Sequence, residues 1–150
     1  MKPPPTSVLI IENHPLMREA LCAAIALEPD LTILEPTVQS ARLVLDIQHD
    51  RLFLADKPDL ILLALGNPGL NEMQTLAVLR QSLPETPILA LTSNEVPGQE
   101  QAALAAGAHA VLTKAVQRTH LVEKLRELRT NLQRNYSESF LPFGETSRKL

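Results

Sequence analysis

Apolar residues in this chain follow two rhythms. Five short stretches are almost continuously apolar and partly β-branched: residues 7–11 (SVLII), 31–35 (LTILE), 59–65 (DLILLAL), 87–92 (PILALT) and 108–113 (AHAVLT). Runs of this length and composition predict strands buried on both faces of a parallel sheet. Between them, apolar positions recur every three or four residues, the spacing of one helix face. Leu16, Ala20, Ala23, Ala24 and Leu27 form the first such set, residues 43–55 the second, and Met73, Leu76, Leu79 and Leu83 the third, within 70–83. A fourth, alanine-rich helix is expected at Gln99–Ala106, closed by Gly107 as a C-terminal stop, and a fifth over about 117–134.

Strands alternating with helices require a doubly wound α/β domain, because each parallel crossover consumes a helix-length connection and crossovers are right-handed. Ligand and reaction sites in such folds lie at the carboxyl ends of the strands. The residues placed there are Glu12 and Asn13, residues 64–68 and 92–94, and Lys114.

Composition narrows the function classes. With 150 residues the chain is long enough for one core, and the expected division is a lead at 1–6, a domain at 7–134 and a tail at 135–150. A net charge of −3, with 14 basic residues scattered among 17 acidic ones, offers no basic face for direct nucleic-acid binding. Cys22 is the only cysteine, so neither an intrachain disulfide nor a cysteine metal site is expected, and a reducing, cytoplasmic location fits. The start, Met1-Lys2-Pro3-Pro4-Pro5-Thr6, lacks the apolar stretch of a secretory signal, and no apolar run is long enough to span a bilayer, so no membrane role is expected.

The strand ends carry a specific set of residues in a specific order: Ile11-Glu12-Asn13-His14-Pro15-Leu16; Pro58-Asp59 followed by Leu63-Ala64-Leu65-Gly66-Asn67-Pro68-Gly69; Leu91-Thr92-Ser93; and Ala106-Gly107-Ala108 leading to Lys114. Over about residues 7–128 the chain resembles a response-regulator receiver of two-component signalling, most of all those that precede a helix-turn-helix output domain. The resemblance implies a flavodoxin-like, five-stranded parallel sheet in the order 2-1-3-4-5. It also implies a phosphorylation pocket: an acidic pair after the first strand that binds Mg²⁺, a phosphate-accepting aspartate ending the third strand, a Thr or Ser sensor after the fourth and a lysine after the fifth. A carboxylate receiving a phosphoryl group needs a hard cation and an ammonium to neutralise charge on the oxygens.

Carried over position by position, the acidic pair becomes Glu12 and Asn13, the acceptor Ala64, the sensor Thr92 and the lysine Lys114. The departures fall on the reactive groups. A methyl group at Ala64 cannot form an acyl phosphate, and Glu12 is the only formal negative charge expected in the pocket, so Mg²⁺ affinity should be severely reduced and no metal or cofactor is expected. Asp59 cannot substitute, since five residues of strand place it about 16 Å from Ala64. Ser93 would need an activating base, and His14, before Pro15, reads as a helix start. Lys114 is expected to pair with Glu12; solvation of its ammonium or occupation of the pocket by a small anion are the alternatives. At the switch position before the lysine, where the family commonly carries an aromatic, stands Val111, whose branched side chain has little freedom about χ1.

The last predicted helix spaces Leu121, Leu125, Leu128 and Leu132 alternately four and three apart, with Leu128 and Leu132 expected as surplus to the core and open to a partner. Three of the four aromatic residues, Tyr136, Phe140 and Phe143, follow it. Rings of this size favour docking on the domain, a second copy or a client protein, with an undocked tail as the alternative. The tail is too short for a three-helix DNA-binding domain. These features lead to a phosphorylation-independent receiver, not an enzyme, that binds a protein partner or itself through the predicted fourth helix, fifth strand and fifth helix. The alternative is a ligand-sensing domain that takes an anion or metabolite through Lys114, Thr92 and Asn13. Residues 39–57, longer than the usual receiver connection, receive no functional account.

Overall fold

The computed structural model describes residues 4–34, 58–66, 70–93 and 95–139, the last eight of these and residue 70 as backbone. Its strands are β1 (Thr6–Ile11), β2 (Leu31–Ile33), β3 (Leu60–Ala64), β4 (Ile88–Thr92) and β5 (Ala110–Thr113). Its helices are α1 (Pro15–Ala26), α2 (Leu70–Ser82), α3 (Gln99–Ala106) and α4 (Arg118–Ser139). The expected helix at 43–55, the segment 39–57, and Phe140 and Phe143 lie outside the described residues, as do the side chains of Leu132 and Tyr136.

All five strands are parallel and stand in the order β2-β1-β3-β4-β5, as the resemblance implies. Alternation along the strands divides the core in two. Val8, Ile10, Leu60, Leu62, Ala64, Leu89 and Leu91 meet Leu21 and Ile25 of α1 and Leu121, Val122, Leu125 and Leu128 of α4. Leu9, Ile11, Ile61, Leu63, Ile88 and Ala90 point the other way, onto Leu76 and Leu79 of α2 and Ala103 of α3. A strand covered on both faces has no position for a polar side chain, which is why β3 reads LILLA and is buried throughout.

Leu128 corrects an expectation. It was expected to face a partner, yet it is buried in the core beside Leu125, because α4 lies along the sheet and uses another turn of its apolar stripe there. The helix also continues to Ser139, five residues past the expected end. An ion-pair network fixes its course. Arg126 grips Asp30 through two nitrogens at 2.7 and 2.8 Å and Glu28 at 2.6 Å, Arg118 reaches Glu28 at 2.6 Å, and Arg129 bonds to Thr6. These contacts bind α4 to the α1–β2 loop and to the start of β1. The Arg118 and Arg126 guanidiniums hold the Glu28 carboxyl below its ordinary value, and Arg126 does the same for Asp30.

Both punctuation marks read in the sequence are present. His14 caps α1 through Nδ1, which accepts from the Met17 N–H at 3.4 Å, with Pro15 opening the helix. Gly107 ends α3 at φ +123°, where a Cβ would lie 2.7 Å from Cγ of Arg80.

Candidate functional site

The pocket is assembled where β1, β3, β4 and β5 end. The parallel register pairs Ile11 with Leu63, Ala64 with Leu91, and Thr92 with Thr113, so the residues just beyond β1 and at the ends of β3 and β4 converge on one sheet edge. Ala64, 3% exposed, presents its methyl on the α1–α4 side with Ile10 and Leu91. Glu12 is 5% exposed; its Oε1 accepts from the His14 N–H at 3.0 Å, while Oε2 is buried without a hydrogen-bond partner. Thr92 is buried, its Oγ1 donating to the Leu112 carbonyl at 3.4 Å. Lys114 is half-buried, and its backbone N–H donates to the Thr92 carbonyl at 2.9 Å.

Two expectations about charge are overturned here. Among the described residues no Glu12–Lys114 ion pair forms: the buried Glu12 carboxylate bonds its own helix start, and Oε2 goes unpaired. Nor is Glu12 the only carboxylate at this edge. Glu72, in the first turn of α2, places Oε1 3.3 Å from Nδ2 of Asn13, which donates to it, and so close to Gly66 that a Cβ there would lie 3.1 Å away. A lone acid in the first turn of a helix was its only sequence signal, and such an acid ordinarily serves the helix dipole.

A second missed residue is Gln99. It is 3% exposed, with Nε2 donating to the Gly66 carbonyl at 2.9 Å and Oε1 accepting from the Ser93 N–H at 2.7 Å. Nothing in an Ala-rich helix start distinguishes it from a surface glutamine.

This donor set does not fit a magnesium ion. The metal is anchored by carboxylates, and here Ala64 supplies none, Asn13 turns an N–H donor toward Glu72, and one Glu12 oxygen is committed to a backbone amide. Among the described residues no group of three or more His, Cys, Asp or Glu side chains comes together to hold a metal.

Residues 8–126 match the family model described as response regulator receiver domain. The chain belongs to the response regulator receiver family. The receiver is 28% identical over 123 residues to the nitrate/nitrite response regulator protein NarL of Escherichia coli K12, covering 82% of this chain and 54% of that protein. It is 30% identical over 122 residues to the glycerol metabolism activator of Pseudomonas putida, covering 81% and 52%. The chain thus spans about half the length of the curated relatives it matches. Among solved structures, the signal receiver domain of the putative response regulator NarL from Mycobacterium tuberculosis superposes with a TM-score of 0.65 at 26% identity, covering 85% of this chain and 98% of that one. A CheY-like receiver domain protein from Methanospirillum hungatei shares the fold with a TM-score of 0.69 at 16% identity, covering 87% and 98%. Among the described residues of the receiver no helix is long and apolar enough to cross a membrane.

Val111, expected from the resemblance at the switch position, is half-buried and packs on the α2–α3 side of the sheet, against the cluster of Ile88 and Ala90. It also lines a shallow groove of about 370 Å³ with Leu112, Thr113, Val116, Gln117 and His120, where β5 meets the start of α4.

Proposed function

We propose that this receiver works without phosphorylation, as a protein-interaction module that pairs with a protein partner or a second copy. One observation carries the reading: the buried end of β3, where the family presents its reactive carboxylate, holds the methyl of Ala64. Without an acceptor there is no acyl phosphate, and a signalling domain lacking that reaction retains its folded surface as its output. Thr92 is engaged with the Leu112 carbonyl, and Val111 has no ring to swing, which supports a single resting conformation.

The surface for a partner is the face of α3, β5 and α4. β5 is the sheet edge, all four of its residues are half-buried, and Leu104 of α3 is 46% exposed. Leu132, Tyr136, Phe140 and Phe143 extend the proposed contact; Leu128 belongs to the core and leaves that set. The reading assigns no catalytic residue, no cofactor, no direct nucleic-acid contact and a cytoplasmic setting. An anion or metabolite in the altered pocket gains no support, since Glu72 brings a second carboxylate to Asn13.

The test is an amide NMR titration with beryllofluoride and Mg²⁺, run beside light scattering. The account expects unmoved Thr92, Val111 and Lys114 resonances and an unchanged mass. Shifts at those residues, or a mass that follows the phosphoryl mimic, would refute it.

A further inference from the structure

We infer that Gln99 is a built-in latch that ties the loop after β3 to the loop after β4 and holds α3 in one position with no phosphoryl group. The inference deepens the phosphorylation-independent reading above and rests on it for its signalling consequence.

The hydrogen-bond pattern between the two strands shows where the latch takes over. The last rung of the β3–β4 ladder runs from the Leu65 N–H to the Leu91 carbonyl at 2.8 Å. The next rung of a parallel ladder would take the Ser93 N–H back to β3. It goes instead to Oε1 of Gln99, and the Gly66 carbonyl receives Nε2 of the same side chain. One planar amide therefore replaces the ladder where the strands separate, and it binds the first residue of α3 to both loops. Gly66 lies two residues after Ala64, and Ser93 follows Thr92, so the joined backbone flanks the pocket.

Glutamine is rarely buried, and here burial costs little because both ends of the amide are satisfied. The geometry that delivers it is set locally: Gly98 takes φ +76°, and the Gln99 N–H closes a turn onto the Val96 carbonyl at 3.3 Å. A Cβ at Gly66 would come within 3.1 Å of Oε1 of Glu72, which accepts from Asn13, so the glycine leaves room for that carboxylate. Hydrogen bonds thus run from Gly66 through Gln99 to Ser93, and a separate one joins Asn13 to Glu72. Thr92 spends its hydroxyl on β5, while Gln99 bonds the start of α3 to both loops and Ala103 packs the same helix into the core.

Amide hydrogen exchange and ¹⁵N relaxation dispersion on the full chain test the latch with two variants. Gln99→Leu keeps the bulk and removes both bonds: Ser93 N–H protection should fall at least about fivefold, the effect of losing a net hydrogen bond, with exchange broadening across residues 95–106. Gln99→Glu keeps the acceptor for Ser93 and loses the donor to Gly66. Its Ser93 protection should stay within about twofold of the parent while the Gly66 carbonyl ¹³C resonance shifts. The latch is overturned if Ser93 in the parent protein exchanges as an open loop, or if Gln99→Leu leaves Ser93 protection and α3 line widths unchanged. Should Gln99→Leu fail to fold, the parent's Ser93 protection and the Gln99→Glu pattern decide. An acyl phosphate on the parent protein would remove the function proposed above without altering any of these readouts.

Discussion

Placing a carboxylate at the end of β3, Ala64→Asp, should make the stability of this domain depend on magnesium. Extending the β1–β3 register one step beyond Ile11 and Leu63 sets Glu12 beside Ala64, on strands about 4.8 Å apart. Both positions are buried, and the new carboxylate would stand about 5 Å from that of Glu12. At an effective dielectric of about 20, two such charges repel by about 3 kcal/mol. The half-buried Lys114 offsets part of this, leaving a cost of about 2 kcal/mol in the absence of metal. The variant also supplies the second carboxylate that a magnesium ion needs beside Glu12. At a magnesium concentration ten times the dissociation constant, binding to the native state returns about 1.4 kcal/mol. Urea denaturation of parent and variant, each in EDTA and in excess Mg²⁺, measures both effects. The parent midpoint should be flat in Mg²⁺; the variant should fall in EDTA and recover with metal. A parent protein stabilised by Mg²⁺, or a variant as stable as the parent in EDTA, would refute the reasoning.

Three further outcomes follow from contacts in the structure. Leu128→Ala should lower stability by about 2–3 kcal/mol in urea denaturation, the lower part of the range for a buried leucine, and leave the mass by light scattering unchanged. Because Arg118 and Arg126 depress the Glu28 carboxyl and Arg126 that of Asp30, the unfolded state binds protons more readily than the folded one. The stability from this network is therefore present above the ordinary carboxylate range and lost as pH falls through and below it, and Arg126→Ala should flatten the acid limb of the melting temperature against pH. His109 is held below its ordinary value, mainly by desolvation and secondly by Arg80, and its Nδ1 accepts from the Ile88 N–H at 3.0 Å, which requires the neutral ring. Its contribution is complete above the ordinary histidine range and is lost as pH falls below it, so the urea midpoint should drop as pH falls below about 6.5, and less so in His109→Asn.

The strands and their ends were legible because a sheet covered on both faces leaves a continuous apolar run, and the run stops where the pocket begins. Ala64, Thr92 and Lys114 could be placed on that basis alone. Leu128 was misjudged because a four-three spacing shows that a stripe exists without showing how many of its turns lie on the sheet. Glu72 and Gln99 escaped for a different reason. Each is an ordinary first-turn polar residue in its own helix, and its partner sits across a crossover: Asn13 is 59 positions from Glu72, and Gly66 is 33 from Gln99. The Glu12–Lys114 pair was expected from opposite charges facing a shared gap, but a buried carboxylate two residues before the cap of α1 found the nearer His14 amide. The grip of Arg126 on Glu28 and Asp30 spans nearly a hundred residues and leaves no local signature.

The central claim is that no acyl phosphate forms at the end of β3. Intact-protein mass spectrometry after incubation with acetyl phosphate and Mg²⁺ addresses it directly. The account predicts an unshifted mass for the parent chain; a stoichiometric, acid-labile gain of one phosphoryl group would contradict it.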